Sequence, residues 1–317
     1  MIKSFMVVFL LATLLNLLRL DYSATIFSST PALQYQLVEQ LTDTSFQPKF
    51  HISRLLGPVQ RSFFVKPATL ITAPSGILID AMSGQCLWQR EPDVILPIAS
   101  LTKLTTALVF LDTRPDFTKE ITITDEDSAD PEGSRLYVNT GETLTVGDLF
   151  YASLVGSANN ATKALVRSTG LTTEEFVVRM NKKAEQLGLS HTVFHEVTGL
   201  DPQNTSTVSD YSRLASHAFR NDIIRRALNT EVYSFTTINT KKPHRIKNTD
   251  QLLFDSDLNL IGAKTGYLDE AGYTFVAQAE RHGHQLLVVL FKSTSSQQRF
   301  DEARALITWA EKNWIWL

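Results

Sequence analysis

Ser100-Leu101-Thr102-Lys103 is the one Ser-x-x-Lys in the sequence. Residues i and i+3 share a helix face, so on a helix the Lys103 amine lies beside the Ser100 hydroxyl. A serine at a helix N-terminus also sits among free backbone N–H groups at the positive end of the dipole, which favours a developing oxyanion. A lysine in a low-dielectric site gives up its proton more readily and can act as a base. Together they describe an activated nucleophile. Taken alone the pattern is weak, since on the order of one match is expected by chance in a chain of this length. Two other clusters also occur once each: Ser157-Ala158-Asn159, on the turn after a helix ending near Leu154, and Lys264-Thr265-Gly266, on a strand-like segment followed by Tyr267. Glycine in that strand lets a substrate backbone approach the edge closely.

These clusters need elements to carry them. Pro97-Ile98-Ala99 leads into residues 100–111, apolar on most sides, which is the pattern of a buried helix. Ahead of it, residues 75–80 and 85–89 flank Met82-Ser83-Gly84 as a hairpin with glycine in the turn. Thr145-Val146-Gly147-Asp148 resembles a capping box before a helix over 149–154. Residues 173–187 carry Phe176, Val177, Met180, Ala184 and Leu187 at helical spacing, with Gly188 at the C-terminal cap. A further helix is expected over 209–219. Strands are expected over 232–238, 261–265, 273–279 and 285–291, and a last amphipathic helix takes in Phe300, Ala303, Leu306, Ile307 and Ala310. Helices thus stand between early and late strands, without βαβ alternation. That order predicts an α+β fold, with one antiparallel sheet built from both ends of the chain and a helical block in the middle.

Composition narrows the partners. At about 150 residues per domain, 317 residues allow one large domain or two modest ones. With 43% hydrophobic and 20% charged residues the chain can bury a core, which excludes a wholly disordered, collagen-like or coiled-coil protein. Thirty basic against thirty-three acidic residues give a net charge of -3, without the basic excess of a nucleic-acid binder. The single cysteine, Cys86, cannot form an internal disulfide. At the N-terminus Lys3 precedes an apolar run from Phe5 to Leu18, broken only by Thr13 and Asn16 and followed by Arg19 and Asp21. At about 14 residues this run suits a signal-peptide core better than a spanning helix of roughly 20. Residues 1–24 are therefore expected to direct export, either as a cleaved leader or, because Tyr22-Ser23-Ala24 is a poor cleavage site, as an N-terminal membrane anchor. Residues 25–66 mix Ser, Thr, Gln and Pro without a sustained period and predict a spacer before a catalytic domain over 67–317.

In this order and in these contexts, the three clusters resemble the signature of the low-molecular-mass penicillin-binding proteins, the serine D-alanyl-D-alanine peptidases. The likeness runs from about Thr72 to Trp314. It takes in Pro97-Ile98-Ala99 ahead of Ser100, Met180-Asn181, Leu187-Gly188-Leu189, Thr198-Gly199-Leu200, Gly262-Ala263 ahead of Lys264, and Ala271-Gly272-Tyr273. It implies a β-lactamase/transpeptidase-like fold, peptidoglycan stem peptides as substrate, β-lactam antibiotics as covalent inhibitors, an exported, periplasmic or extracytoplasmic location, and no cofactor. Carried over residue by residue, it implies that Ser100 is the acylated nucleophile and that Lys103 helps remove its proton. By the same resemblance Ser157 would relay a proton to the leaving amine, Asn159 would hold the substrate amide and Lys264 would supply positive charge. The resemblance further implies that Thr265 binds the substrate backbone or carboxylate beside Gly266, that the N–H groups of Ser100 and Tyr267 form an oxyanion hole, and that Arg299 stands near the substrate carboxylate.

The sequence departs from the family in two places. Many relatives continue into a second domain and a C-terminal amphipathic helix, whereas this sequence ends at Trp316-Leu317, which leaves the N-terminal segment to supply any anchor. Glu196-Val197 precedes Thr198 where Asn-Pro is common. The implied activity is a D-Ala-D-Ala carboxypeptidase. Alternatives are an endopeptidase for D-Ala crosslinks, a β-lactamase, and an inactive wall-binding module. Against the β-lactamase, no local pattern for a class A deacylating glutamate stands between Ser157 and Lys264.

Other features read as structural. His191 and His195 lie in a β-like stretch without a third ligand in register, so no metal site is expected. Asp125-Glu126-Asp127 with Asp130 and Glu132 reads as a solvated loop, and Trp309, Trp314 and Trp316 as packing for the last helix.

Overall fold

A computed structural model of the chain describes residues 58–60, 71–130 and 132–316. The leader expected over 1–24 and most of the spacer over 25–66 lie outside them. Inside that spacer stretch, Val59 and Gln60 pair antiparallel with Ile315 and Trp314. Among the described residues no helix is long and apolar enough to cross a membrane.

Five antiparallel strands make the main sheet: β1 (Ser75–Asp80), β2 (Cys86–Arg90), β3 (Leu260–Leu268), β4 (Gly272–Arg281) and β5 (His284–Ser293). Their order is β3-β4-β5-β1-β2, so the early hairpin and the late strands meet at the β5–β1 ladder, where Val288 faces Leu78. One sheet is thus built from both ends of the chain, as the order of elements predicts. Its period of two sorts the side chains. Ile77, Ile79, Val276, Leu287, Val289 and Phe291 pack on the helical block. Leu78, Phe275, Ala277, Leu286, Val288 and Leu290 join the opposite core. Covering both faces explains why these strands are nearly continuous apolar runs.

The described helices are α1 (Thr102–Asp112), α2 (Val146–Val155), α3 (Asn159–Arg167), α4 (Thr173–Gln186), α5 (Val208–Phe219), α6 (Asp222–Leu228) and α7 (Ser296–Asn313). Every residue of α1 from Thr102 to Phe110 is buried, which is why its sequence lacks a polar stripe. The capping box expected at Thr145 forms: its hydroxyl accepts from the Asp148 N–H while the Asp148 carboxylate accepts from the Thr145 N–H. Thr172 and Glu175 cap α4 in the same way. The last helix, α7, seats Phe300, Ala303, Leu306, Ile307 and Ala310 in the second core.

Two features differ from the sequence expectation. The strand expected over 232–238 spans Val232–Thr236 and pairs with Pro243–Lys247 in a separate hairpin, outside the main sheet. Pro243 opens the partner strand, a position where its missing N–H is tolerated. Helices α3 and α6 were not expected. At nine and seven residues they are too short to set up a clear period, and α3 begins with the polar pair Asn159-Asn160.

Candidate active site

Ser100 sits in a 3-10 turn, Ala99–Leu101, that runs directly into α1. Ala99 adopts φ +49, a left-handed conformation costing a non-glycine residue on the order of 1–3 kcal/mol. Such strain persists only where the surroundings over-determine it, and here it turns the serine out at the head of the helix. One turn later, fully buried Lys103 donates from Nζ to Ser100 Oγ at 3.0 Å, Asn159 Oδ1 at 2.7 Å and the Thr198 carbonyl at 2.6 Å. An ammonium here uses all three N–H bonds, whereas a neutral amine can turn a lone pair toward the serine hydroxyl.

Ser157 and Asn159 come from the α2–α3 connection. Ser157 also has a left-handed backbone, φ +56, and is buried. Asn159 is anchored at both ends: its N–H donates to the Ser134 carbonyl at 2.8 Å, and its Nδ2 donates to the Glu132 carbonyl at 3.2 Å. With Oδ1 on Lys103, the amide plane is held fixed.

Across the cleft, edge strand β3 carries Lys264, Thr265 and Gly266. Lys264 Nζ donates to Ser157 Oγ at 2.7 Å, so the second and third clusters touch directly. Thr265 Oγ1 lies 2.6 Å from Thr249 Oγ1. Gly266 is indispensable sterically: a Cβ there would collide with Thr274 Oγ1 and stand 3.1 Å from the Ser100 nitrogen. Only glycine lets β3 lie against the nucleophile turn. Tyr267 is half-exposed, its ring 4.5 Å from that of Tyr273. Arg299 lies buried behind the strand, donating from Nη1 to the Gly266 carbonyl at 2.9 Å and from Nη2 to Ser296 Oγ at 3.1 Å. It therefore braces β3 rather than projecting into open solvent.

Burial dominates the electrostatics. Desolvation pushes Lys103 down to about 7, against the opposing pull of the Glu196 carboxylate. Lys264 falls well below its ordinary value, first through burial and then through repulsion from Lys103 and Arg299, with Asp250 opposing. Arg299 drops to about 10, mainly through burial. Asp250, buried behind them, rises to about 6 for the same leading reason. The site is thus a nucleophile with a base that can be neutral at neutral pH, faced by a strand that carries a second buried lysine and is backed by the positive charge of Arg299.

A family model described as D-alanyl-D-alanine carboxypeptidase matches residues 62–295. The chain belongs to that family. It is a penicillin-binding serine hydrolase of the cell wall that acts on D-Ala-D-Ala. Relatives include the D-alanyl-D-alanine endopeptidase of Haemophilus influenzae, 34% identical over 72% of this chain and 78% of its own length. The D-alanyl-D-alanine endopeptidase of Escherichia coli is 26% identical over 83% of this chain and 89% of its own length. The Streptomyces K15 DD-transpeptidase superposes with a TM-score of 0.72 at 28% identity, covering 76% of this chain and 98% of its own. The family's α+β fold matches the sheet and helical block described above.

The structure brings all nine sequence-named residues to one region, from Ser100 and Lys103 on the helical side to Lys264–Tyr267 on β3 and Arg299 behind it. Four partners were not named as site residues. Thr198 offers its carbonyl to Lys103, Thr249 pairs with Thr265, Asp250 balances the buried cations, and Glu196 folds the turn holding Thr198. Glu196 left a signal as the departure before Thr198-Gly199-Leu200, and Thr198 as part of that tripeptide, though its role is played by a backbone carbonyl. Thr249 and Asp250 act through a hydroxyl and a buried charge that reach the site only in the folded chain.

Proposed function

We propose that this protein hydrolyses the D-Ala–D-Xaa bond of peptidoglycan stem peptides through an ester at Ser100, releasing the terminal D-alanine as a carboxypeptidase. The observation that carries this reading is the Lys103 amine, buried, pushed down to about 7 and 3.0 Å from Ser100 Oγ. Lys103 accepts the serine proton as Oγ attacks the carbonyl carbon of the penultimate residue. The tetrahedral oxygen meets the N–H groups of Ser100 and Tyr267. Ser157, bonded to Lys264, passes a proton to the leaving amine while Asn159 holds the substrate amide. Thr265 binds the substrate carboxylate, and Lys264 and Arg299 favour that charge through their field. Water then cleaves the ester. β-Lactams enter by the same acylation.

Cleavage of D-Ala crosslinks is a second reading favoured by a specific observation. Three of the relatives are named endopeptidases, and one of them is 34% identical to this chain, against 29% and 31% for the carboxypeptidases DacF and DacC. Both readings use one acylation step and differ in the leaving group. Residues 1–24 carry the chain across the inner membrane, as a leader or retained anchor, and the hydrolase domain over 67–317 works outside the cytoplasm.

Fluorescent penicillin is expected to label the wild-type protein and not Ser100→Ala. Equal labelling of both would sink the acyl-enzyme. Mass analysis after incubation with a monomeric pentapeptide and with a crosslinked dimer separates the two substrates, and faster loss of the dimer would overturn the carboxypeptidase assignment.

A further inference from the structure

Glu196 lies in the turn after the Val193–Thr205 bridge and its carboxylate bends back on its own chain. It accepts from the Thr198 N–H at 2.6 Å, the Thr198 hydroxyl at 2.6 Å and the Gly199 N–H. Asn204 clamps it from the other side, donating from Nδ2 to the Glu196 carboxylate at 2.8 Å, to its carbonyl at 3.0 Å and to Thr102 Oγ1 at 3.1 Å. The Asn204 carbonyl in turn accepts from the Ile98 N–H at 3.0 Å. The folded turn is docked on the nucleophile itself: Gly199, at φ +89, lies so close that a Cβ would overlap the Ala99 carbonyl. The Thr198 carbonyl fixed in this way is the acceptor 2.6 Å from Lys103 Nζ.

From this we infer that Glu196 is a positioning residue for Lys103: its carboxylate folds the turn that presents the Thr198 carbonyl to the amine, and its negative charge biases the amine's proton occupancy. With both oxygens held by these donors, Glu196 is not arranged as a free general base. The charged groups facing Lys103 are Glu196 from the turn and Lys264 from β3, with Arg299 and Asp250 behind Lys264. Of these, Glu196 is the negative group acting on Lys103, opposing burial. Removing its charge makes the amine easier to deprotonate, so the acidic limb of acylation moves to lower pH.

This inference rests on the reading that Lys103 takes the Ser100 proton. The test measures the acylation rate by fluorescent penicillin from pH 5 to 9 for wild type, Glu196→Gln and Glu196→Asp. Glu196→Gln is expected to lower the plateau and shift the acidic limb down by about half a pH unit. Normalised to its own plateau, it is then about threefold faster than wild type at pH 6. Glu196→Asp keeps the charge on a shorter arm and is expected to lose about tenfold in plateau rate with its limb near that of wild type. A Glu196→Gln limb coinciding with wild type overturns the inference, as does a Glu196→Asp limb displaced equally far. Should Glu196→Gln fail to fold, an unchanged Glu196→Asp plateau overturns it on its own. Failure of the underlying reading looks different: wild type then acylates without an acidic limb near pH 7, or Ser100→Ala is labelled as well.

Discussion

The helical wall of the cleft holds its one buried amine, Lys103, on a hydroxyl, an amide oxygen and a carbonyl drawn from three separate segments. The opposite wall holds Lys264 and Arg299 on and behind one strand, whose ladder with β4 is in unbroken register from Gly262 to Leu268 after a bulge beyond Leu260. On the helical side a carboxylate, Glu196, opposes the desolvation of the lysine. On the sheet side burial lowers both Lys264 and Arg299, Arg299 lowers Lys264 further, and Asp250 opposes both shifts. The contrast divides the labour. An amine near neutrality suits proton transfer, and confined positive charge suits a carboxylate. Strained backbone falls where the helical wall must aim its side chains, at Ala99 and Ser157, whereas β3 needs only a glycine to come close.

Breaking the helical wall is expected to have the largest effect. Ser100→Ala removes the nucleophile and is expected to cost at least about 10⁴-fold in kcat, measured as D-alanine release. Next comes pH. Lys103 must be neutral to accept a proton, so with its value near 7 the acylation rate is expected to be flat above pH 8. At pH 5 it is expected to be about 100-fold lower, read from labelling kinetics; an acidic limb near pH 9 would remove the neutral lysine.

The sheet wall sharpens the comparison with smaller effects. Arg299→Gln is expected to raise KM about tenfold for a carboxylate-terminated peptide, with a lesser change in kcat, because it weakens both the field and the brace on Gly266. The same substitution should leave the pH limb near its wild-type position, and a large limb shift would blur the division between the walls. Smallest is Thr249→Val, which removes the hydroxyl beside Thr265 and is expected to raise KM about threefold in the same peptide assay.

Much of the fold was legible because its signals are local. The 75–89 hairpin, the Thr145 cap, the Gly188 stop, the late strands and the last helix each announce themselves within about ten residues. Where the signal was short or polar it failed, as at α3 and α6, and the 232–236 strand was given to the wrong sheet because pairing depends on what packs nearby. In the site, Ser100, Lys103, Ser157, Asn159 and Lys264 stood out by type and spacing. Arg299 was named from its spacing after Lys264-Thr265-Gly266, and its bond to the Gly266 carbonyl, made by a backbone atom, left no mark in the sequence.

The sequence by itself determined that a serine and a lysine share one helix face, that two polar clusters follow at a distance, and that a glycine ends the third cluster in a strand-like segment. Those are consequences of covalent spacing and side-chain size. Tertiary structure decided the rest: that Lys103 is buried enough to approach neutrality, that the Thr198 carbonyl reaches it, and that Glu196 and Asp250 lie near the cations. Desolvation and contacts between residues about 95 apart arise only when separate segments exclude water together.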